Sequence, residues 1–330
     1  DSYNKRLFVS DAANNRILVF NLNNDLTLQD KVADYVLGQP DFTSKSLNTT
    51  ANGLYSPDKI VYASTTNYLY VADYQNHRVL VYDVATITNG EAAIYVLGQQ
   101  DFTTRTIGTT ATTMQWPSAI AIDEVGSRLF VADTFNHRVL IFDVSTITNG
   151  ESAINVLGQA DFTALAYTTT RNAVLTPRVL FYEYERSLLY VGNLNRVSVF
   201  DVATTSNNEL AAYVLGQSSF TFMEEAVNQA NRFAGNVTSI SLDPIRRYLF
   251  VGHENRISIF DASTITNGEA AINIIGVPTF TTSSSNITIG TSSIAAINGL
   301  AYASSTLYAG SVGYNRISLF DVSSISNGEG

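Results

Sequence analysis

The feature that most constrains this chain is an arginine that opens an apolar run and recurs six times. Arg16, Arg78, Arg138, Arg196, Arg256 and Arg316 lie 62, 60, 58, 60 and 60 residues apart. The segments around them align as RLFVSDAANNRILVF, YLYVADYQNHRVLVY, RLFVADTFNHRVLIF, LLYVGNLNRVSVF, YLFVGHENRISIF and TLYAGSVGYNRISLF. A unit this small cannot bury its own apolar face, so its copies must stack on one another. Residues 1–330 therefore read as a single repeat domain.

Within each repeat, runs of Val, Leu, Ile, Tyr and Phe, apolar on both sides, alternate with short turns, the pattern of antiparallel strands. A full unit has four strands: one led by Pro (PSAIAID, 117–123), the two around the arginine, and one ending in Gly (INVLGQ, 154–159). Six such sheets predict an all-β fold, a six-bladed β-propeller of four-stranded antiparallel blades. Asn-Gly in TITNGE (86–91, 146–151, 264–269) and SISNGE (324–329) supplies positive φ between third and fourth strands, and TTSNNE (204–209) is a weaker copy. The longer connections begin GQPDFT, GQQDFT, GQADFT, GQSSFT or GVPTFT, and their Phe42, Phe102, Phe162, Phe220 and Phe280 are expected to anchor them. One connection, residues 223–233, reads as helical.

Counting strands leaves the first blade without its inner strand and the sixth without its outer one. The expectation is that the chain is a segment of a longer polypeptide, or that another chain completes it.

Composition narrows the function. There is no cysteine, so thiolate chemistry is excluded, and the net charge of −10 on few charged residues makes nucleic acid an unsuitable partner. No apolar run is long enough to insert in a membrane. Abundant Thr, Asn and Tyr with little Lys suggests a protein outside a bacterial cell or on its surface.

The motifs ADYQNHRVLVYD (72–83), ADTFNHRVLIFD (132–143) and SDAANNRILVFN (10–21) resemble the NHL-repeat family, whose consensus places an Asp, a short turn, Asn-His-Arg and a strand ending in Phe-Asp. The resemblance weakens in repeats four to six, where Asn193, His253 and Ser311 replace the Asp. It implies a six-bladed propeller. Some members are lyases holding a metal through histidines in the central channel.

His77, His137 and His253 invite that metal reading. Their places in equivalent turns, far apart in a ring, favour instead turn residues that hydrogen-bond their own blade, and neither a metal nor another cofactor is expected. Asp11/Arg16, Asp73/Arg78 and Asp133/Arg138 recur and so are expected to tie the hairpins rather than catalyse. Recognition is expected where the copies differ, at the loops leading into the first strands: Asp58, Ser118, Arg178, Val237 and Asn298, preceded by Tyr55, Trp116, Leu175, Phe233 and Ile297. Trp116, Tyr55, Tyr167 and Phe233 are candidate exposed aromatics for protein or glycan contact, the alternative being a packed loop core. The reading is a non-enzymatic binding or scaffold propeller. The competing readings are a metal-dependent lyase or hydrolase with its site in the channel, and a subunit of an extracellular assembly closed by strand exchange between neighbouring copies.

Overall fold

The computed structural model describes residues 1–221, 229–233, 235–281, 294 and 296–325. The helix expected over 223–233 lies largely outside the described residues. No helix among the described residues is long and apolar enough to cross a membrane.

Each repeat forms one antiparallel sheet in which the strands pair in chain order. The sheets group into two compact units, residues 1–166 with 206–208, and residues 167–205 with 209–330. In the first unit, blade 1 holds β1 (Arg6–Asp11), β2 (Arg16–Asn21) and β3 (Tyr35–Leu37). Blade 2 holds β4 (Pro57–Ala63), β5 (Tyr68–Asp73), β6 (Arg78–Asp83) and β7 (Tyr95–Leu97), and blade 3 holds β8 (Pro117–Asp123), β9 (Arg128–Asp133), β10 (Arg138–Asp143) and β11 (Asn155–Leu157). In the second unit, blade 4 holds β12 (Val179–Glu183), β13 (Leu188–Asn193), β14 (Arg196–Asp201) and β15 (Tyr213–Leu215). Blade 5 holds β16 (Val237–Asp243), β17 (Tyr248–His253), β18 (Arg256–Asp261) and β19 (Asn273–Ile275), and blade 6 holds β20 (Ile297–Ala303), β21 (Thr306–Ser311) and β22 (Arg316–Asp321). The fold is the all-β, six-bladed propeller, with three-stranded sheets in its first and last blades.

Successive side chains of a strand point to opposite faces, and here both faces are packed. Along β6, Val79 and Val81 join the core between blades 2 and 3, with Leu140 and Phe142. Leu80 and Tyr82 join the core between blades 1 and 2, with Ile17 and Val19. This is why the third strands are apolar throughout rather than alternating.

The Asn-Gly turns do more than reverse the chain. Asn149 Oδ1 accepts the amide of Val96 at 3.0 Å, and the amide of Gly150 donates to the Val96 carbonyl at 3.3 Å. Thus the turn of blade 3 pairs with the short fourth strand of blade 2 and covers its outer edge. Asn89 and Gly90 do the same for Val36, and Asn267 and Gly268 for Val214. In TTSNNE, Asn207 accepts from Val156 and Asn208 adopts φ 64°, a conformation asparagine tolerates, so the weaker copy still works.

The Asp and Arg of each hairpin clamp loops as well as strands. Arg78 Nε donates to Asp73 at 2.8 Å, while its other nitrogens reach the carbonyls of Thr50, Gly53 and Phe102. Asp73 also accepts the amide of Tyr55 and the carboxamide of Asn76, whose second hydrogen bond goes to Asn48. Asp133 and Arg138 repeat the arrangement on Gln115, Thr110, Thr113 and Phe162. In blade 4, where Asn193 replaces the carboxylate, Arg196 still spans the carbonyls of Ala173 and Phe220.

Candidate functional site

At the start of each inner strand in blades 2, 3, 5 and 6 the register slips, between Pro57 and Ile60, Pro117 and Ala119, Val237 and Ser239, and Ile297 and Gly299. A bulge leaves a residue outside the ladder and re-aims its side chain. The bulged positions include Asp58, Ser118, Thr238 and Asn298. Val237 was the expected member in blade 5, but it occupies the buried place of Pro57 and Pro117, and Thr238 is the true counterpart. The strict spacing of 60 residues through 58, 118, 178, 238 and 298 is the signal that identifies it.

Just before the bulges of blades 2, 3 and 6 stands a residue with positive φ: Ser56 at 52°, Trp116 at 54°, Ala296 at 48°. Its amide is held by the hairpin of the preceding blade. Asn15 Oδ1 accepts from Ser56, His77 Nδ1 from Trp116 at 3.2 Å, and Asn255 Oδ1 from Ala296 at 2.9 Å. His77 therefore bonds the next blade, and not its own blade as the sequence led one to expect. The bond requires an unprotonated Nδ1, and burial, aided by the charge of Arg105, lowers the pKa of His77 to about 4.

Only blade 3 places a large side chain at this position. Trp116 stacks on Tyr74 at 6.0 Å between centroids, meets Phe135 edge-on at 4.2 Å and lies beside His77. Arg105 lies over the ring of Tyr55, 5.5 Å from its centroid. Tyr55, Tyr74, Trp116 and Phe135 are all half-buried, and Arg105 and Asp58 are exposed. The result is an aromatic patch with a cation beside it on the hairpin end of blades 2 and 3. Sequence reasoning found Tyr55 and Trp116 but missed Tyr74 and Phe135. These occupy the two variable positions between Asp and Asn-His-Arg, where the copies of the motif disagree most. Ser118 does not join the surface: it is buried, its hydroxyl 2.6 Å from that of Thr134.

In the second unit, Arg178 is exposed at the head of blade 4, its amide bonded to Gly192. Asn298 lines an open cleft of about 600 Å³ with Asn236, Thr238, Glu254, Asn255, Ala296, Ile297 and Val312. Phe233, expected as a candidate exposed aromatic, is fully buried. It packs against Phe260 and His253 and sits over Gly216 where a Cβ would lie, 2.1 Å away. Leu54 and Met114 do the same over Gly38 and Gly98. Phe233 is thus the plug of its loop, not a contact residue. Tyr167 is exposed, as a candidate contact must be.

In blades 2 and 3 the carboxylates next to arginine are sealed from solvent. Burial raises Asp133 to about 6 against the lowering pull of Arg138, but neither side chain is exposed. Among the described residues no group of three or more His, Asp or Glu is arranged to hold a metal ion. His253 Nε2 lies 2.9 Å from Ser258 Oγ on the neighbouring strand of its own blade.

Compared by sequence, the chain matches no family model and no curated protein. Solved structures do resemble it. One, from a nidogen/laminin complex, is 13% identical with a TM-score of 0.55, covering 96% of this chain and 89% of that one. Sqt1 of Saccharomyces cerevisiae is 11% identical with a TM-score of 0.56, covering 98% of this chain and 70% of that one. At such identities the likeness is one of fold, and what this chain shares with both is the propeller.

Proposed function

We propose that the protein is a non-enzymatic binding module of the NHL type that recognises a polypeptide through the aromatic patch of blades 2 and 3. The observation that carries this is Trp116. A bulky residue at positive φ is strained, and the equivalent positions are filled by Ser56 and Ala296 without loss of the same backbone hydrogen bond. The fold therefore has no need of tryptophan there. A half-exposed indole held between Tyr74 and Phe135, with Arg105 beside Tyr55, has the composition of a binding hot spot. That one structural neighbour was solved within a protein complex is in keeping with this use of the fold.

Trp116 is the sole tryptophan, so its emission reports on the site directly. Peptides selected on the wild-type protein from a displayed random library are expected to shift that emission on titration and to bind Trp116→Ala at least tenfold more weakly, a loss of about 1.4 kcal/mol. Selected peptides that leave the emission unchanged and bind the variant equally would refute the assignment. The Thr-, Asn- and Tyr-rich, Lys-poor composition supports the further reading that it works outside the cell or on its surface, which fractionation of the source cells with an antibody to the chain would test.

A further inference from the structure

The groove that Trp116 fills between blades 2 and 3 has a counterpart between blades 5 and 6. There the position belongs to Ala296, with nearly the same backbone conformation and the same amide bond to the preceding hairpin. The preceding hairpin has Glu254 in the place of Tyr74, and blade 6's own hairpin has Val312 and Gly313 in the places of Thr134 and Phe135. With the aromatic rings gone, the groove is an open cleft of about 600 Å³, inside the roughly 300–1,000 Å³ common for ligand sites.

Its lining is chemically uniform. Asn236, Asn255 and Asn298 contribute carboxamides, Thr238 a hydroxyl and Glu254 a carboxylate, while the exposed Val312 gives an apolar wall and the Ile297 side chain is buried in the core beneath. Among the described residues no lysine or arginine lines it, so an anion finds no counter-charge there, and one carboxylate is a poor cage for a divalent cation, which takes several oxygen ligands. Carboxamides each donate and accept, and a carboxylate accepts two hydrogen bonds side by side. Such a set matches a neutral molecule that carries many hydroxyls on one side and C–H groups on the other. The carboxamides are also placed to act: Asn236 and Asn298 are exposed, Asn298 on the bulge of β20, and Asn255 spends its oxygen on Ala296 but keeps its NH₂ group as a donor.

We infer that the cleft between blades 5 and 6 is a carbohydrate-binding site, taking a pyranose ring whose hydroxyls face Asn236, Asn255, Asn298 and Glu254 and whose C–H face lies on Val312. It is separate from the aromatic patch and does not depend on it.

The repeat supplies the test. Ala296→Trp places in this groove the residue that blade 3 accommodates at the same backbone angles, so it fills the cleft without a conformational demand the fold has not already met. Saturation-transfer NMR with methyl glycosides of glucose, galactose and mannose and with N-acetylglucosamine, each at millimolar concentration, is expected to show transfer to at least one of them. That transfer should fall at least tenfold in Ala296→Trp and clearly in Asn298→Leu, with the melting temperature of each variant within a few degrees of wild type. Trp116→Ala should leave it unchanged, which separates this site from the peptide site. Absence of transfer to every glycoside, or transfer that persists in Ala296→Trp, overturns the inference. Transfer abolished by Trp116→Ala alone would move carbohydrate to the other site and overturn it equally.

Discussion

At the scale of single residues, the hairpin motif does two separable jobs. Asp and Arg hold loops, and the residue between Asn and Arg holds the next blade. His77 performs the second job as a neutral base. Its folded-state pKa of about 4 lies below the 6.5 of an unfolded chain, so the unfolded state binds more protons between those values. This contribution to stability is full above pH 6.5 and is lost as the pH falls towards 4. Blade 1 makes the same bond with Asn15, which does not titrate. We expect His77→Asn to keep the bond and flatten the acid limb of stability against pH, measured as urea midpoints from pH 4 to 7. An unaltered limb would show that other groups produce it. For the clamp, Asp133→Ala leaves Arg138 buried without its carboxylate, which typically costs about 3–5 kcal/mol. Asp11→Ala, in a pair whose side chains are 16% and 23% exposed, should cost distinctly less. Equal losses in the two variants would refute the distinction.

At the scale of elements, the fourth strands are only three residues long, and those of blades 1 to 4 depend on the turn of the following blade. Removing one acceptor leaves one strand amide unsatisfied. Asn149→Ala should therefore destabilise by about 1 kcal/mol and accelerate hydrogen exchange at Val96 selectively. Gly98 is a stricter case. Its φ of 81° and the Met114 Cε that would lie 2.3 Å from a Cβ leave no room for a side chain. Gly98→Ala should cost more than Asn149→Ala in the same denaturant series, and Met114→Gly should recover part of that loss if the clash is its cause. The Asn-Gly turn was legible from the sequence as a positive-φ position, and the terminal glycine as the end of its strand. What they meet was not, because the partners lie on the preceding blade or far along the following loop.

At the scale of the molecule, stacked repeats draw stability from nearest neighbours. Ile257 and Ile259 of blade 5 are fully buried by blade 6, whereas their counterparts Ile317 and Leu319 are 67% and 60% exposed. Hydrogen exchange is accordingly expected to be fastest in β20–β22 and slowest in the strands of blades 2 to 5. Uniform protection across the second unit would contradict this.

By itself the sequence determined the period, the strands, the turns and the propeller, because each is written in local alternation and repeated six times. It also pointed to the disagreement between copies as the place to look, and Tyr55, Trp116 and Asn298 were found that way. The tertiary structure alone decided which loop residues face solvent. Phe233 and Trp116 are both aromatic and both precede an inner strand, yet one drops under Gly216 and the other stacks between Tyr74 and Phe135. That difference depends on which glycine or hairpin each ring meets, and those partners come from distant parts of the chain. Burial is a property of the assembled neighbours, and no local pattern carries it.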